Sequence, residues 1–152
     1  MTSAPVSLRA QAIRLLARRE YARSELEHRL IAKGAPRNEV GFVLDELIAQ
    51  GYLSDARYAR AMVTQKAGGY SRRSIAEALK AKGIARTDIE RALVEAEADD
   101  GKALRALWQR RFGKPPTDER EKARQVRFLQ ARGFALSAIF KLLREAPDTS
   151  GA

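Results

Sequence analysis

The chain contains no cysteine, and its single histidine is His28. Disulfides and thiolate metal sites are therefore excluded. A zinc site would need carboxylates at a ligand spacing that the sequence does not offer. No apolar run approaches the roughly 20 residues that cross a bilayer as a helix. The opening MTSAPVSLRA lacks the apolar stretch of a signal peptide. These absences point to a cytoplasmic protein with no metal, no cofactor and no membrane partner. Strand signals are missing as well, because no stretch alternates apolar and polar residues with β-branched enrichment.

Negative charge is also scarce. Lys and Arg number 29 against 19 Asp and Glu, a formal net charge of +10. Such a balance favours a polyanionic partner, nucleic acid first among candidates; the plainer alternative is an arginine-rich proteome. The excess is uneven. Residues 1–55 hold 8 basic and 7 acidic groups, residues 56–100 hold 9 and 7, and residues 101–152 hold 12 and 5. The last third thus carries +7 of the +10.

Support for catalysis is thin. His28 stands between Glu27 and Arg29 in a helical stretch, a solvated setting rather than a general base's. Gly68-Gly69 is followed by no Gly-Lys-Ser/Thr, so it is not a phosphate-binding P-loop. Glu95, Glu97, Asp99 and Asp100 read as a solvated helix end. The chain is expected to bind and not to catalyse, with no catalytic residues.

What is present is a repeat. A shift of 49 residues superposes Tyr21 on Tyr70, Leu30 on Leu79, Lys33-Gly34 on Lys82-Gly83 and Leu44 on Leu93. A further shift of 50 carries Leu79 to Leu129, Lys82-Gly83 to Arg132-Gly133, and Ile89 and Leu93 to Ile139 and Leu143. Each copy reads as three helices. The third is clearest in copy one, where Val40, Val43, Leu44, Leu47 and Ile48 form one apolar stripe. The second stops at Gly34, Gly83 or Gly133, residues suited to a left-handed C-cap, and Pro36 fits the first turn that follows. Ser54 and Ser71 are N-cap candidates. Helices are expected near 8–19, 23–33, 37–50, 55–67, 72–82, 86–98, 101–112, 118–132 and 136–145. The result is an all-α chain of three tandem three-helix repeats (8–55, 56–100, 101–147) with flexible termini 1–7 and 148–152. Cores this small imply that neighbouring copies share packing surface in an elongated, curved rod.

Candidate contact residues follow from the alignment. Arg23, Arg72 and Lys122 superpose, a cation at the start of each second helix, where the helix dipole opposes it. A phosphate there would meet the cation and the free helix N–H groups together; an acidic protein surface would serve almost as well. Arg72 and Arg73 are expected to stand exposed on the side of Arg23 and Lys122. Ion pairing, such as Arg73 with Glu77 at i+4, is the structural alternative. Lys33, Lys82 and Arg132 precede the terminal glycines, where a cation suits the dipole and a structural role is favoured, although Lys80 and Lys82 can widen a basic strip. Arg110, Arg111, Arg124, Arg127 and Arg132 supply the field of copy three. Tyr21 and Tyr70 read as core residues.

Taken together, AIRLLARREYARSELEHRL, GYLSDARYARAMV, GYSRRSIAEALKAKGI and REKARQVRFLQARGF resemble the RecX family over roughly residues 8–146. GYLSDARYA and FLQARGF are the most specific segments. Two departures stand out: Ser71 and Arg72 occupy a site that is commonly Gly-Pro in the family, and Ala22 replaces the cap that Ser71 supplies in copy two. The resemblance implies a three-unit rod that binds the RecA recombinase, chiefly as its filament on single-stranded DNA. It further implies restraint of recombinase, ATPase and coprotease activity in DNA repair and the SOS response, with DNA bound without strong sequence preference. Three copies in one chain already supply an extended surface, so a monomer is expected.

Two other readings fit the sequence. Tandem helix-turn-helix units acting directly on DNA would need base-reading third helices. Those of copies one and two carry Glu39, Asp45, Glu46 and Asp88, Glu90, Glu95, and only copy three, with Lys141 and Arg144, has a suitable sign. A protein-interaction scaffold meeting an acidic partner is the other.

Overall fold

Serine and aspartate side chains open five of the helices, each accepting a hydrogen bond from a backbone N–H that the helix itself cannot satisfy. They are Ser7, Ser54, Ser71, Asp99 and Asp118. In the computed structural model, which describes residues 6–146, copy one comprises α1 (Leu8–Arg18), α2 (Arg23–Ala32) and α3 (Arg37–Ala49). Copy two comprises α4 (Asp55–Lys66), α5 (Arg72–Ala81) and α6 (Arg86–Glu95). Copy three comprises α7 (Asp100–Arg111), α8 (Glu119–Ala131) and α9 (Leu136–Glu145). No strand occurs among the described residues. The expected termini 1–7 and 148–152 lie almost entirely outside the described residues.

Most expected boundaries agree to within about a residue, as helix ends allow. Two differ for a physical reason. α6 stops short of residue 98 because Glu97 adopts φ 52°, the left-handed turn that Gly51 (φ 83°) supplies in copy one. Pro36 sits one place earlier than expected, as the N-cap of α3 in extended geometry (φ −65°, ψ 137°).

Each copy has its own core. Leu26, Leu30, Leu44 and Leu47 anchor the first, Val63, Ile75, Leu79 and Leu93 the second, and Leu107, Trp108, Leu129 and Ile139 the third. One apolar link crosses between them: Ala22 of copy one is fully buried within the second core. That explains why no serine stands there, since a cap hydroxyl would enter apolar packing. The helix start is satisfied otherwise. The Glu25 carboxylate accepts from the Ala22 N–H at 3.0 Å, and Asp55 of copy two accepts from the Arg23 N–H at 2.8 Å.

The Asp55 bond recurs one joint further on. Asp100 of copy three accepts from the Arg72 N–H at 2.8 Å, so the next copy's first helix supplies a carboxylate to the second helix before it. The second helices also meet end to end. The C-terminal carbonyl of Lys82 accepts from the Ser24 hydroxyl, and that of Arg132 accepts from the Ser71 N–H at 3.0 Å. Negative helix ends thus abut positive ones, α8 on α5 and α5 on α2.

The terminal glycines sit in these joints unequally. Gly34, Gly83 and Gly133 all have positive φ, at 103°, 77° and 93°. A Cβ at Gly34 would meet open space, whereas one at Gly133 would fall within overlap distance of Ser71 Oγ and 2.8 Å from Ser74 Cβ. Gly133→Ala should therefore cost the left-handed penalty of about 1–2 kcal/mol plus an overpacking cost of about 1–3 kcal/mol. Gly34→Ala should show the first component alone. Thermal unfolding of the two variants checks this, and equal losses would refute the packed joint.

Candidate nucleic-acid interface

The recurring helix-start cations do not face solvent as expected. The Arg72 guanidinium donates to the Ala98 carbonyl at 2.6 Å, beyond the end of α6. Arg23 bonds Asp45 at 2.7 Å and Glu27 at 3.3 Å. Both arginines are half-buried, and only Arg73, with 85% of its side chain exposed, meets the expectation; it also pairs with Glu77 at 3.2 Å. The physical reason lies in the joint. Asp100, the Ala98 carbonyl and the Arg132 carbonyl surround the start of α5 with negative charge, which reverses the sign an isolated helix would present. Lys122 differs again: α8 begins three residues before it, and its ammonium lies 5.5 Å over the Phe140 ring on α9. Lys82 pins the first joint through Glu25 at 3.2 Å, while Lys80 is exposed on α5.

The cations of copy three come together instead. On α8, Arg124, Phe128 and Arg132 fall at i, i+4 and i+8, one face of the helix. Arg132, the C-cap, places its guanidinium carbon 4.5 Å from the Tyr70 ring centre and 5.0 Å from that of Phe128. Lys66 covers Tyr70 at 4.7 Å, Arg111 covers Phe128 at 5.0 Å, and Arg124 covers Phe112 at 5.5 Å. Phe112 and Phe128 meet edge to face, 5.5 Å apart at 88°. Lys66, Tyr70, Arg132, Phe128 and Arg111 therefore form a ladder of alternating cations and rings across the junction of copies two and three, and the edge contact of Phe128 with Phe112 extends it to Arg124. Arg110 joins it by donating to the Gly68 carbonyl at 3.5 Å, and Arg132 donates to that of Gly69 at 3.4 Å. Cation–π contacts of this kind contribute about 0.5–1 kcal/mol each at exposed sites.

Beside the ladder lies a cleft of about 570 Å³, bordered by Arg111, Lys114, Arg120, Arg124 and Arg127. Its carboxylates are engaged: Asp118 caps α8 through the Glu121 N–H at 2.8 Å, and Glu121 pairs with Arg124 at 2.8 Å. The Arg124 guanidinium, and after it Gln125, hold the Glu121 carboxyl below the usual carboxylate range. Among the described residues, Arg111, Lys114, Arg120 and Arg127 have no carboxylate at ion-pair distance. The cleft is shaped from beneath. The buried Trp108 Nε1–H donates to Gln125 Oε1 at 2.9 Å, and Gln125 Nε2 donates to the Lys114 carbonyl at 3.1 Å and to Glu121 at 3.3 Å. One side chain thus fixes both the 113–118 loop and the acid that orients Arg124.

Sequence reasoning placed Arg110, Arg111, Arg124, Arg127 and Arg132 in this neighbourhood but missed Lys66, Phe112, Phe128 and Gln125. Tyr21 is buried in the first core as expected, with Arg19 stacked 3.6 Å over it. Tyr70 packs against the second core while holding two cations on its ring, so it belongs to both. Rings one or four residues after a cation, as in Arg111-Phe112, Arg124–Phe128 and Lys66–Tyr70, are the signal that would have found the ladder.

The first joint carries a pH dependence. Burial pushes the Glu25 carboxyl up, but the Ala22 N–H, Arg19 and Lys82 together hold it below its ordinary range. A carboxyl depressed on folding contributes stability above its unfolded value and loses it as pH falls through its folded value. Acidification below the ordinary carboxylate range should therefore weaken the copy one–copy two joint. Glu25→Gln should be less stable at neutral pH and show a shallower fall in Tm toward about pH 3. Parallel curves for the two proteins would show that Glu25 does not govern this response.

The sequence matches three family profiles in chain order. They are the first three-helix domain of RecX over residues 9–47, the second over 54–93 and the third over 98–143. It is 44% identical over 141 residues to the regulatory protein RecX of Pseudomonas syringae pv. tomato, covering 91% of each chain. It is 34% identical over 144 residues to that of Ralstonia pickettii, covering 95% of this chain and 91% of the relative. The fold is similar to the crystal structure of RecX from Lactobacillus salivarius, with a TM-score of 0.67 at 19% identity over 91% of this chain and 93% of that one. Three domain matches in order, with identity sustained along nearly the whole length, place this chain in the RecX family of regulatory proteins.

Proposed function

We propose that this protein binds a RecA-type recombinase filament on single-stranded DNA and restrains its activity, with copy three holding the nucleic acid. The observation that carries the DNA contact is the ladder of cations and rings beside a cleft bordered by five cations. Single strands are bound without sequence preference by such a combination, cations following the phosphates and aromatic faces receiving bases. Membership of a family of regulatory proteins supports the role as regulator, and the resemblance of its sequence segments supplies the recombinase as its object. Charge alone cannot choose a filament over naked DNA, so copies one and two contribute protein contacts. Arg72 and Lys82 are assigned to the joints in this reading and the Arg23 side chain to an ion pair within copy one, while Arg73 and Lys80 remain available at the surface.

Recombinase ATPase on single-stranded DNA with substoichiometric protein tests the central claim. The rate should fall, and it should stay low when excess DNA removes any gain from competing for strand. Complete relief by added DNA would reduce the protein to a strand binder. The role of the cleft is tested by replacing Arg111, Arg124 and Arg127 together with Ala. Affinity for single strands should drop, and the slope of log affinity against log salt should become shallower by about 2, at about 0.7 for each phosphate no longer neutralised. An unchanged slope would remove the cleft from the interface. Phe112→Leu and Phe128→Leu keep apolar volume and remove the ring face. Affinity should then fall by about 1–3 kcal/mol for each base that no longer stacks, with little change in salt slope.

A further inference from the structure

Copy three also departs from the other two copies on the opposite flank of α8, and the repeat itself supplies the control. The third helices begin at Arg37, Arg86 and Leu136, which fixes equivalent positions along them. Where copies one and two carry Arg37 and Arg86, copy three has Leu136, 42% exposed. Where they carry Gly41 and Glu90, copy three has Phe140, 36% exposed. The fold does not require these apolar residues outside, since two copies adopt it without them.

The charges change in step. In copy one Arg23 bonds Asp45 at 2.7 Å across α2 and α3. The equivalent pair in copy three is Lys122 and Arg144: the internal carboxylate has become a second cation. Both line a cleft of about 420 Å³ whose other walls are Pro115, Pro116, Phe140 and Leu143. Among the described residues no carboxylate borders it and neither cation forms an ion pair. Lys122 already lies over the Phe140 ring at 5.5 Å.

We infer that this cleft docks an acidic, amphipathic peptide segment of a partner protein. An apolar side chain fills the floor of Phe140, Leu143 and the two prolines. A neighbouring carboxylate settles between Lys122 and Arg144, in the place that Asp45 takes in copy one. The wall chemistry suits a peptide: two cations above a proline-lined apolar floor receive an Asp or Glu beside a Leu or Phe, and a base stacked on Phe140 is the competing occupant that the oligonucleotide arm of the test decides. The inference stands apart from the single-strand reading, which uses the other face of α8.

Fluorescence anisotropy with the full chain tests it. The probes are a labelled peptide of alternating glutamate and leucine or phenylalanine, the same peptide with lysine for glutamate, and a labelled single-stranded oligonucleotide. The acidic peptide should bind and the basic one should not. Arg144→Asp rebuilds the internal pair of copy one, and Phe140→Glu installs the residue of copy two. Each should weaken the acidic peptide by about tenfold or more, since a like charge then faces it, while oligonucleotide affinity stays unchanged. Both variants carry residues that the fold accepts at equivalent positions, and circular dichroism verifies their helicity; should one lose it, the other decides. Failure of the acidic peptide to bind, binding unaltered by a folded variant, or loss of the oligonucleotide in place of the peptide would each overturn the assignment.

Discussion

The array depends on one electrostatic arrangement, the meeting of helix ends. The last carbonyls of α8 face the first N–H groups of α5, and those of α5 face α2. An isolated helix leaves such groups to water or to its own caps; here the neighbouring copy satisfies them, and a carboxylate at the head of the next first helix completes the joint. The three cores stay small and separate, with Ala22 the apolar link between the first and second. Polar joints of this kind are directional. They fix how one copy is turned on the next far more sharply than apolar contact, which has no preferred angle.

That arrangement also accounts for the two arginines that begin α5. The positive potential of a helix start extends about one turn and belongs to the helix in isolation. Once the segment after α6 and the end of α8 bring their carbonyls to the same spot, Arg72 becomes a connector between copies rather than an exposed ligand. Arg73 stays exposed and pairs with Glu77 along the same helix.

Much of the fold was legible in the sequence because it rests on local rules. The apolar stripe of 3.6-residue period, the serine caps and the glycines after each second helix are read within a few residues of one another. The joints were not legible, since Asp55 and Asp100 lie 32 and 28 residues from the N–H groups they satisfy. Periodicity assigns a face to a helix without saying what packs there. The same gap hid half of the ladder. Phe112 and Phe128 sit at apolar positions and look like core, and so they partly are; what periodicity cannot show is that Arg124 and Arg111 close over them. The basic residues of the cleft were found because charge clusters by segment, and α7, α8 and their loop are adjacent in sequence.

Triplication separates the constraints of the fold from those of binding. A position alike in all three copies, such as the glycine after each second helix, answers to the joint or the turn. One that differs in a single copy, with the backbone unchanged, is free of that demand. Copies one and two are nearly balanced in charge and hold Arg37, Arg86, Gly41 and Glu90 at the positions of Leu136 and Phe140, although they expose Phe42 and Val94 elsewhere on their third helices. Copy three concentrates positive charge, places rings between cations on one flank of α8, and exposes Leu136 and Phe140 on the other. α8 begins three residues before the position at which α2 and α5 begin, and that extra turn carries Glu121, held by Gln125 and paired with Arg124. The added turn therefore builds a binding surface on a unit whose core remains that of its neighbours. Copies one and two, joined to it end to end, hold that surface at a set distance and angle from whatever they themselves contact.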